Sequence, residues 1–453
     1  MKKLISILSI ALTLVLVLTS CQIFPHRSKE TETQTQELNT QTHVEELVSA
    51  SAEKKSVSYT DYKDEGYRAF LQKLDVFAAK FSAKAYEKYG EGENISVSPI
   101  SVYMALALVC ECADGETRQE ILDAVGVTYE EVNKYTKYLY AFCNQEFYAW
   151  NEDNERVISG YELLTNSIWL DDSVPFKNEG VEKLSNDYNC DVFQTDFGTD
   201  KAKNALKSYI EEKTRGLIDG NLPLDADTVF VLLNTFYLKE AWTNFGKDLP
   251  FSDKTYTFAN SDGAEVHKKL LVGKYTTGRV QSFDTYSVYY TKTANGLRLY
   301  FMVPNEDNTV ADVFTQANIE NVLSIDNWKG YEDMVCYNTR VLFPEFEAEF
   351  DESISKIMIE DFNIVTLFDK VDCNMENVTD TQIYCSDIVH KSKLKVDKTG
   401  IEGAAITAAI MAGNAADPYT YEYLDFVVDR AFGFVLADQY GTVLFSGAVN
   451  SIK

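Results

Sequence analysis

Residues 390–416 read HKSKLKVDKTGIEGAAITAAIMAGNAA, and the second half of that stretch does not behave like the rest of the chain. From Gly400 to Ala416 there are seven Ala and three Gly. Side chains this small cannot anchor a core, and Gly this frequent weakens a helix. The run lies between strand-like Lys393–Val396 and Phe426–Val428. Its plain reading is a surface loop or a frayed helix.

Outward from this segment the body alternates helices and strands without a regular βαβ repeat. Residues 229–238 are apolar on both faces, as a central strand covered on both sides would be. Asn234 in the middle of that run needs a buried partner. Residues 286–303 are Tyr-rich and β-prone around Asn295-Gly296, a hairpin signal. The C-terminal stretch from 423 holds three strand-like runs. Toward the N-terminus, Phe70, Leu71, Leu74, Phe77, Ala78, Phe81 and Ala85 follow a three-to-four spacing, which predicts an amphipathic helix over 67–89 closed by Gly90. Ser98-Pro99 opens a nearly all-apolar helix, with Ser as cap and Pro at the first helical position. Thr117 to Glu120 reads as a capping box for a short helix ended by Gly126. No linker composition interrupts residues 66–453, so they form one α+β domain.

The chain has 453 residues, 42 basic and 70 acidic, for a net charge of −28. That balance argues against nucleic acid as a partner, because phosphate contacts need clustered Lys and Arg. Lys2 and Lys3 precede an apolar run, Leu4 to Leu18, too short for a stable membrane span. Leu18-Thr19-Ser20-Cys21 resembles a bacterial lipobox, with Cys21 as the lipid attachment and residues 1–20 as the removed signal. Residues 21–65 are rich in Thr, Gln, Glu and Ser, and are expected to be a disordered tether. Removing +2 from the leader and −4 from residues 22–65 leaves −26 on the body. The expected location is therefore the outer face of a membrane at the cell surface, lipid-anchored, with release outside the cell as a variant.

Eight Cys and four His prune the chemistry. With Cys21 lipidated, seven Cys remain and cannot all pair. Cys110 and Cys112 read as small core residues. No zinc spacing, CxxC, HExxH, GxSxG or glycine-rich phosphate loop occurs, so no metal, no cofactor and no catalytic residue are assigned. A secreted hydrolase is disfavoured for the same reason.

The ordered set of motifs resembles the serpins over about residues 67–453. Asn94 with Ser98-Pro99-Ile100-Ser101 is similar to the family's N-x-x-x-S-P-x-S. Cys112 to Thr117 is similar to its A-x-G-x-T turn, and Asn234 to Trp242 to "N-x-x-Y-F-K-G-x-W". Phe343-Pro344-Glu345-Phe346 resembles "P-K-F". His390-Lys391, Val396-Asp397 and Gly400 to Ala405 resemble "H-K-x-x-x-x-V-x-E-x-G-T-E-A-A-A". Phe426 to Phe432 resembles "F-x-A-D-R-P-F", and Leu444 to Gly447 the terminal "L-F-x-G". Each motif alone is weak; their order and spacing carry the resemblance.

The resemblance implies a large central mixed sheet, further sheets, eight or nine helices and an exposed reactive loop. It implies a suicide substrate: a serine protease cleaves the loop and forms an acyl-enzyme. The loop then inserts into the central sheet and traps it as a covalent complex. Gly400, Ile401, Glu402, Gly403, Ala404 and Ala405 match the loop's hinge. As a strand, Ile401, Gly403, Ala405 and Thr407 would share one face, with no charge on it, and Glu402 would face solvent. Ile401 stands where the family usually has Thr or Ser, and Lys398 where it often has Glu. Ser98, Ser101, Asn234 and His390 match a buried polar cluster that governs how the central strands part. Trp242 matches the Trp at the loop's point of entry. Counting from Gly400 places the reactive bond at Asn414–Ala415, with Met411–Ala412 as alternative. The apolar residues there suggest an elastase-like or subtilisin-like target, and the protein is expected to be a monomer. The alternative function is a non-inhibitory binding protein of the same fold on the cell surface.

Overall fold

The structure is a computed structural model, and it describes residues 44–48, 64–150, 156–222, 224, 228–242, 248–324, 331–332, 335–401, 420–438 and 440–453. In chain order its main elements are β1 (Glu45–Val48), α1 (Glu65–Tyr89), β2 (Ile95–Val97), α2 (Pro99–Cys112), α3 (Gly115–Val125) and α4 (Tyr129–Phe142). Next come β3 (Asn144–Trp150), β4 (Arg156–Asp171), α5 (Asn178–Tyr188), β5 (Cys190–Thr195), α6 (Asp200–Lys213) and β6 (Phe230–Ala241). These are followed by β7 (Tyr286–Lys292), β8 (Arg298–Pro304), α7 (Val310–Val313), α8 (Gln316–Leu323), β9 (Val335–Phe343), β10 (Phe346–Ser353) and α9 (Ser355–Phe362). The chain closes with β11 (Val389–Val396), β12 (Gly400–Ile401), β13 (Thr420–Val427), β14 (Phe432–Ala437) and β15 (Val443–Val449). With nine α-helices among the described residues and three large sheets, the architecture is the expected α+β one.

The central sheet has the order β1-β5-β4-β6-β12-β11-β10, with β3 also on β4. Its inner face packs on a second sheet containing β7, β8, β14, β15 and β2, and Phe236 stacks on Phe445 at 5.5 Å between them. Behind lie α1 and the nearly fully buried α2. In the third sheet β13 runs parallel to β9, from Thr420 opposite Val335 to Val427 opposite Leu342. The segment 402–419 therefore connects the middle of one sheet to another.

Several local expectations are corrected. α1 begins at Glu65 because the Asp64 carboxylate accepts the Tyr67 amide at 3.0 Å. The Ser98 hydroxyl makes no cap; it donates to the Leu444 carbonyl at 2.9 Å. Thr117 and Glu120 form no capping box, since α3 starts earlier, at Gly115. The Thr117 hydroxyl accepts the Asn374 amide, and Glu120 accepts the amides of Val365 and Thr366. Both side chains are used by distant backbone. Within the expected tether, β1 pairs antiparallel with β5, Glu45 opposite Gln194. Val44 beside it packs on the cluster of Trp169, Phe197 and Leu206, and the strand adds to the open edge of the sheet.

Candidate functional site

Below its top, the central sheet is not closed. Among the described residues no pairing joins β6 to β11; they are bridged only by β12, which lies antiparallel to both. Gly400 stands opposite Ala241, and Ile401 opposite Glu240 on one side and Val396 on the other. Gly400 is required here, because a Cβ on it would come 2.1 Å from the Glu240 carbonyl oxygen. Ile401 is fully buried. The inner face at this level is thus one row across five strands: Gly160, Glu240, Ile401, Val396 and Phe346.

The turn from β11 to β12 is held from below. The Trp242 indole N–H donates to the Asp397 carbonyl at 2.6 Å, and the ring meets Phe343 edge-on at 5.5 Å. Trp242, matched by resemblance to the family's entry-point Trp, thus supports the turn that leads into Gly400 and Ile401. The Asp397 amide donates to the Gly400 carbonyl at 3.0 Å, and its carboxylate accepts the Thr399 amide at 2.8 Å. Lys398, which stands where the family often has Glu, pairs with Asp248 at 2.6 Å.

Further down, the strands border a cavity of about 150 Å³ lined by Ser101, Leu106, Asn234, Tyr384, Ile388 and His390 among others. The four predicted polar residues meet here as two pairs. On the β6 side the Ser101 hydroxyl donates to the Asn234 side-chain oxygen. The Asn234 amide donates to Asn166 on β4 at 2.7 Å, and Asn166 donates to the Tyr188 carbonyl at 2.8 Å. On the β11 side the Ser98 backbone N–H donates to His390 Nε2 at 3.1 Å. That contact requires a neutral ring with an unprotonated Nε2, and burial pushes the imidazole pKa down to about 3. His390 is a fixed acceptor across the working pH range, not an acid–base group. Phe81 and Phe350 flank its ring at 6.0 and 5.7 Å.

Sequence reasoning missed Asn166, whose signal was a lone amide in an apolar strand, as for Asn234. It also missed Glu240 and its partner Asn295, discussed below. Cys21, Glu402, Gly403, Ala404, Ala405, Met411, Ala412, Asn414 and Ala415 lie outside the described residues. Six of the seven Cys at 110, 112, 143, 190, 336, 373 and 385 are buried, Cys385 is partly so, and all are free thiols.

Comparison with known proteins agrees with this geometry. The family model described as "Serpin (serine protease inhibitor)" matches residues 72–452. An uncharacterised serpin-like protein of Methanosarcina acetivorans is 25% identical over 396 residues, covering 84% of this chain and 87% of its own length. Human neuroserpin is 24% identical over 378 residues, covering 80% and 86%. Among solved structures, the thermophilic serpin tengpin in its native state superposes with a TM-score of 0.68 at 18% identity, covering 90% of this chain and all of that one. Arabidopsis AtSerpin1 in its native stressed conformation gives 0.66 at 20%, covering 85% and 98%. Family model, relatives and fold coincide over the body of the chain, and the protein belongs to the serpins, a family whose members are generally protease inhibitors and not enzymes.

Proposed function

We propose that this serpin is a suicide-substrate inhibitor of elastase-like or subtilisin-like serine proteases. The observation that carries the reading is the slot: β6 and β11 run parallel, bridged at the top by two hinge residues and, among the described residues, not paired to each other below. Continuing the register of β12 fills it. Ile401 faces Glu240 and Val396; on insertion in the same register Glu402 would fall between Lys239 and Lys395, and Ala405 between Phe236 and Ser392. Thr407 would fall between Asn234 and His390, counted from either flanking strand. Glu402 would then sit outward between two lysines. The Thr407 hydroxyl would sit inward, bridging the two polar pairs that flank the cavity.

In the reaction, the protease serine oxygen attacks the Asn414 carbonyl carbon. The Asn414–Ala415 bond breaks, and the Ala415 amine leaves with the C-terminal piece. The chain up to Asn414 remains as an ester on the protease. Zipping 402 onward into the slot moves that ester away before water hydrolyses it. Met411–Ala412 is the alternative bond. The bulk of Ile401 is no obstacle in this reading, because it already lies buried opposite Glu240. Lipid attachment at Cys21, display on the outer face of a bacterial membrane and a monomeric state complete the proposal. They rest on the N-terminal sequence and on the absence of any need for a second copy. A non-inhibitory surface binding protein is the second reading, and Ile401 in place of Thr or Ser is what favours it.

The test is incubation of the chain lacking residues 1–20 with pancreatic elastase and with subtilisin. A complex stable on denaturing gels, with a released peptide of residues 415–453 by mass, is the expected result. Loop cleavage by both enzymes without a complex, and without a rise in melting temperature, refutes inhibition and favours the second reading.

A further inference from the structure

Directly beneath the hinge the interior carries carboxylates. Glu240 on β6 and Glu162 on β4 are fully buried and face inward as diagonal neighbours. Asp438, just after β14, is buried with them. Glu240 accepts both hydrogens of its contact with the Asn295 amide, at 2.9 Å to each oxygen, from the hairpin joining β7 and β8. One oxygen of Glu162 and one of Asp438 have no hydrogen-bond partner among the described residues, nor does Arg298 Nε. The groups facing this set are Arg298 and Tyr300 from β8, Asp75 from α1, and the Cys143 thiol after α4. Of these, Arg298 and Asp75 both act on Asp438. The motif that runs from Asn234 to Trp242 carries Gly where this chain has Glu240. Nothing in the reactive chemistry calls for a carboxylate at that position.

Glu240 is the cross-strand neighbour of Ile401. We propose that Glu240 is a positioning residue for the hinge and that it works through a bound proton: with Glu162 and Asp438 it closes the top of the sheet over Ile401 only when the cluster holds protons, and opening the hinge releases them.

The geometry gives the reason. Two ionised carboxylates at diagonal positions in a dry interior repel and are under-solvated, so the closed sheet keeps protons on them. Opening admits water between the sheets, and the acids ionise as ordinary ones do. Burial raises Glu240 to about 7 and Asp438 to about 6; burial, then the neighbouring Glu240 and Asp438, hold Glu162 well above the carboxylate range. The folded pKa values lie above the open-state values. Closure is therefore fully favoured below the ordinary carboxylate range and is lost as pH rises toward the folded values. Loop insertion needs this top to yield, so the inference deepens the inhibitory reading and rests on it only for its biological use.

The experiment needs no protease, so it stands even if inhibition fails. Wild type, Glu240→Gln and Glu162→Gln are compared from pH 5 to 8 by hydrogen exchange of the Ile401 and Glu240 amides, corrected for intrinsic rates. In wild type the opening equilibrium, relative to Glu240→Gln, should rise roughly tenfold per pH unit between pH 5 and 7, as expected for one proton released on opening, and then level off. The infrared carboxylic-acid C=O band present at pH 6 should shrink in each variant. Gln keeps the shape and the contact to Asn295, so a purely structural role predicts no change in pH slope. Equal slopes in wild type and Glu240→Gln, or a band unaltered by both substitutions, would overturn the proposal. If Glu240→Gln fails to fold, the Glu162→Gln slope and band decide alone.

Discussion

The parity of the proposed inserting strand can be tested with two substitutions one residue apart. Continuing β12 puts Ala405 inward, between Phe236 and Ser392, and Ala404 outward, between Tyr237 and Lys393. The inward face at that level is aromatic: Phe236 is buried and stacks on Phe445. Ala405→Glu would carry a charge into it with no cation nearby. An uncompensated buried charge costs about 3–5 kcal/mol. Escape by protonation at pH 7 costs a similar amount, about 3.7 kcal/mol from an ordinary Glu pKa of about 4.3. At about 1.4 kcal/mol per factor of ten, insertion past this point should slow by roughly 10²–10³. Ala404→Glu instead meets Lys393, which already pairs with Glu349 at 3.3 Å on the solvent face, and should change insertion little. Elastase or subtilisin is titrated with each variant, and complex and cleaved chain are quantified on denaturing gels. Ala405→Glu should yield almost only cleaved chain, and Ala404→Glu mostly complex. After nicking, only Ala404→Glu should gain thermal stability. Equal behaviour of the two, or loss confined to Ala404→Glu, would refute both the register and the slot.

Other outcomes follow from single contacts. Gly400→Ala forces a Cβ to 2.1 Å from the Glu240 carbonyl, so β12 should detach; limited proteolysis in the 398–405 region should accelerate, while the urea midpoint of the body moves little. His390→Gln should remove a pH dependence. The native imidazole is depressed to about 3 by burial, so its contribution is present above the ordinary value of about 6.5 and is lost as pH falls toward 3. Urea midpoints measured from pH 7 to 4 should fall less in the variant than in wild type. Trp242→Phe removes the N–H that holds the Asp397 carbonyl at 2.6 Å and should cost about 1 kcal/mol of stability, read from denaturant midpoints, together with faster exchange at Gly400. Native protein should leave Cys110, Cys112, Cys143 and Cys190 unreacted with a thiol reagent at pH 8, because burial raises each thiol.

What the sequence shows of this fold is what has a local or periodic signature. The run around Asn234 is apolar on both faces because β6 is covered on both, and its lone amide announces a buried partner. The helix over 67–89 shows its spacing, and Gly126 closes α3 at φ +77°, a backbone that favours Gly. The errors at the helix caps share one cause. Ser98, Thr117 and Glu120 have the chemistry of helix caps, and distant backbone claimed them first. Nothing local distinguishes a hydroxyl that caps its own helix from one that donates to Leu444. Asn166, Glu162 and Glu240 were illegible for a related reason. Each takes its meaning from residues on other strands, and a Glu in a strand is read as a solvent-facing residue unless the pairing is known. The split of the polar cluster into a β6 pair and a β11 pair is likewise a property of the open sheet, not of any one segment.

The short β1 strand changes how the body would hang from its proposed anchor. A chain fixed to lipid at Cys21 and first caught at Val44 has 23 residue steps between them (44 − 21), which limits its reach to roughly 80 Å even fully drawn out. Without β1 the leash would run on to Asp64. Tension on it, from flow or from a protease pulled away with the loop, would then enter the body along β1 itself. Where that pull runs along the strand axis, it shears the β1–β5 ladder, loading its hydrogen bonds together instead of peeling them one at a time. The strand would serve as a strain relief that keeps force off α1, whose first turn is held by the Asp64 cap.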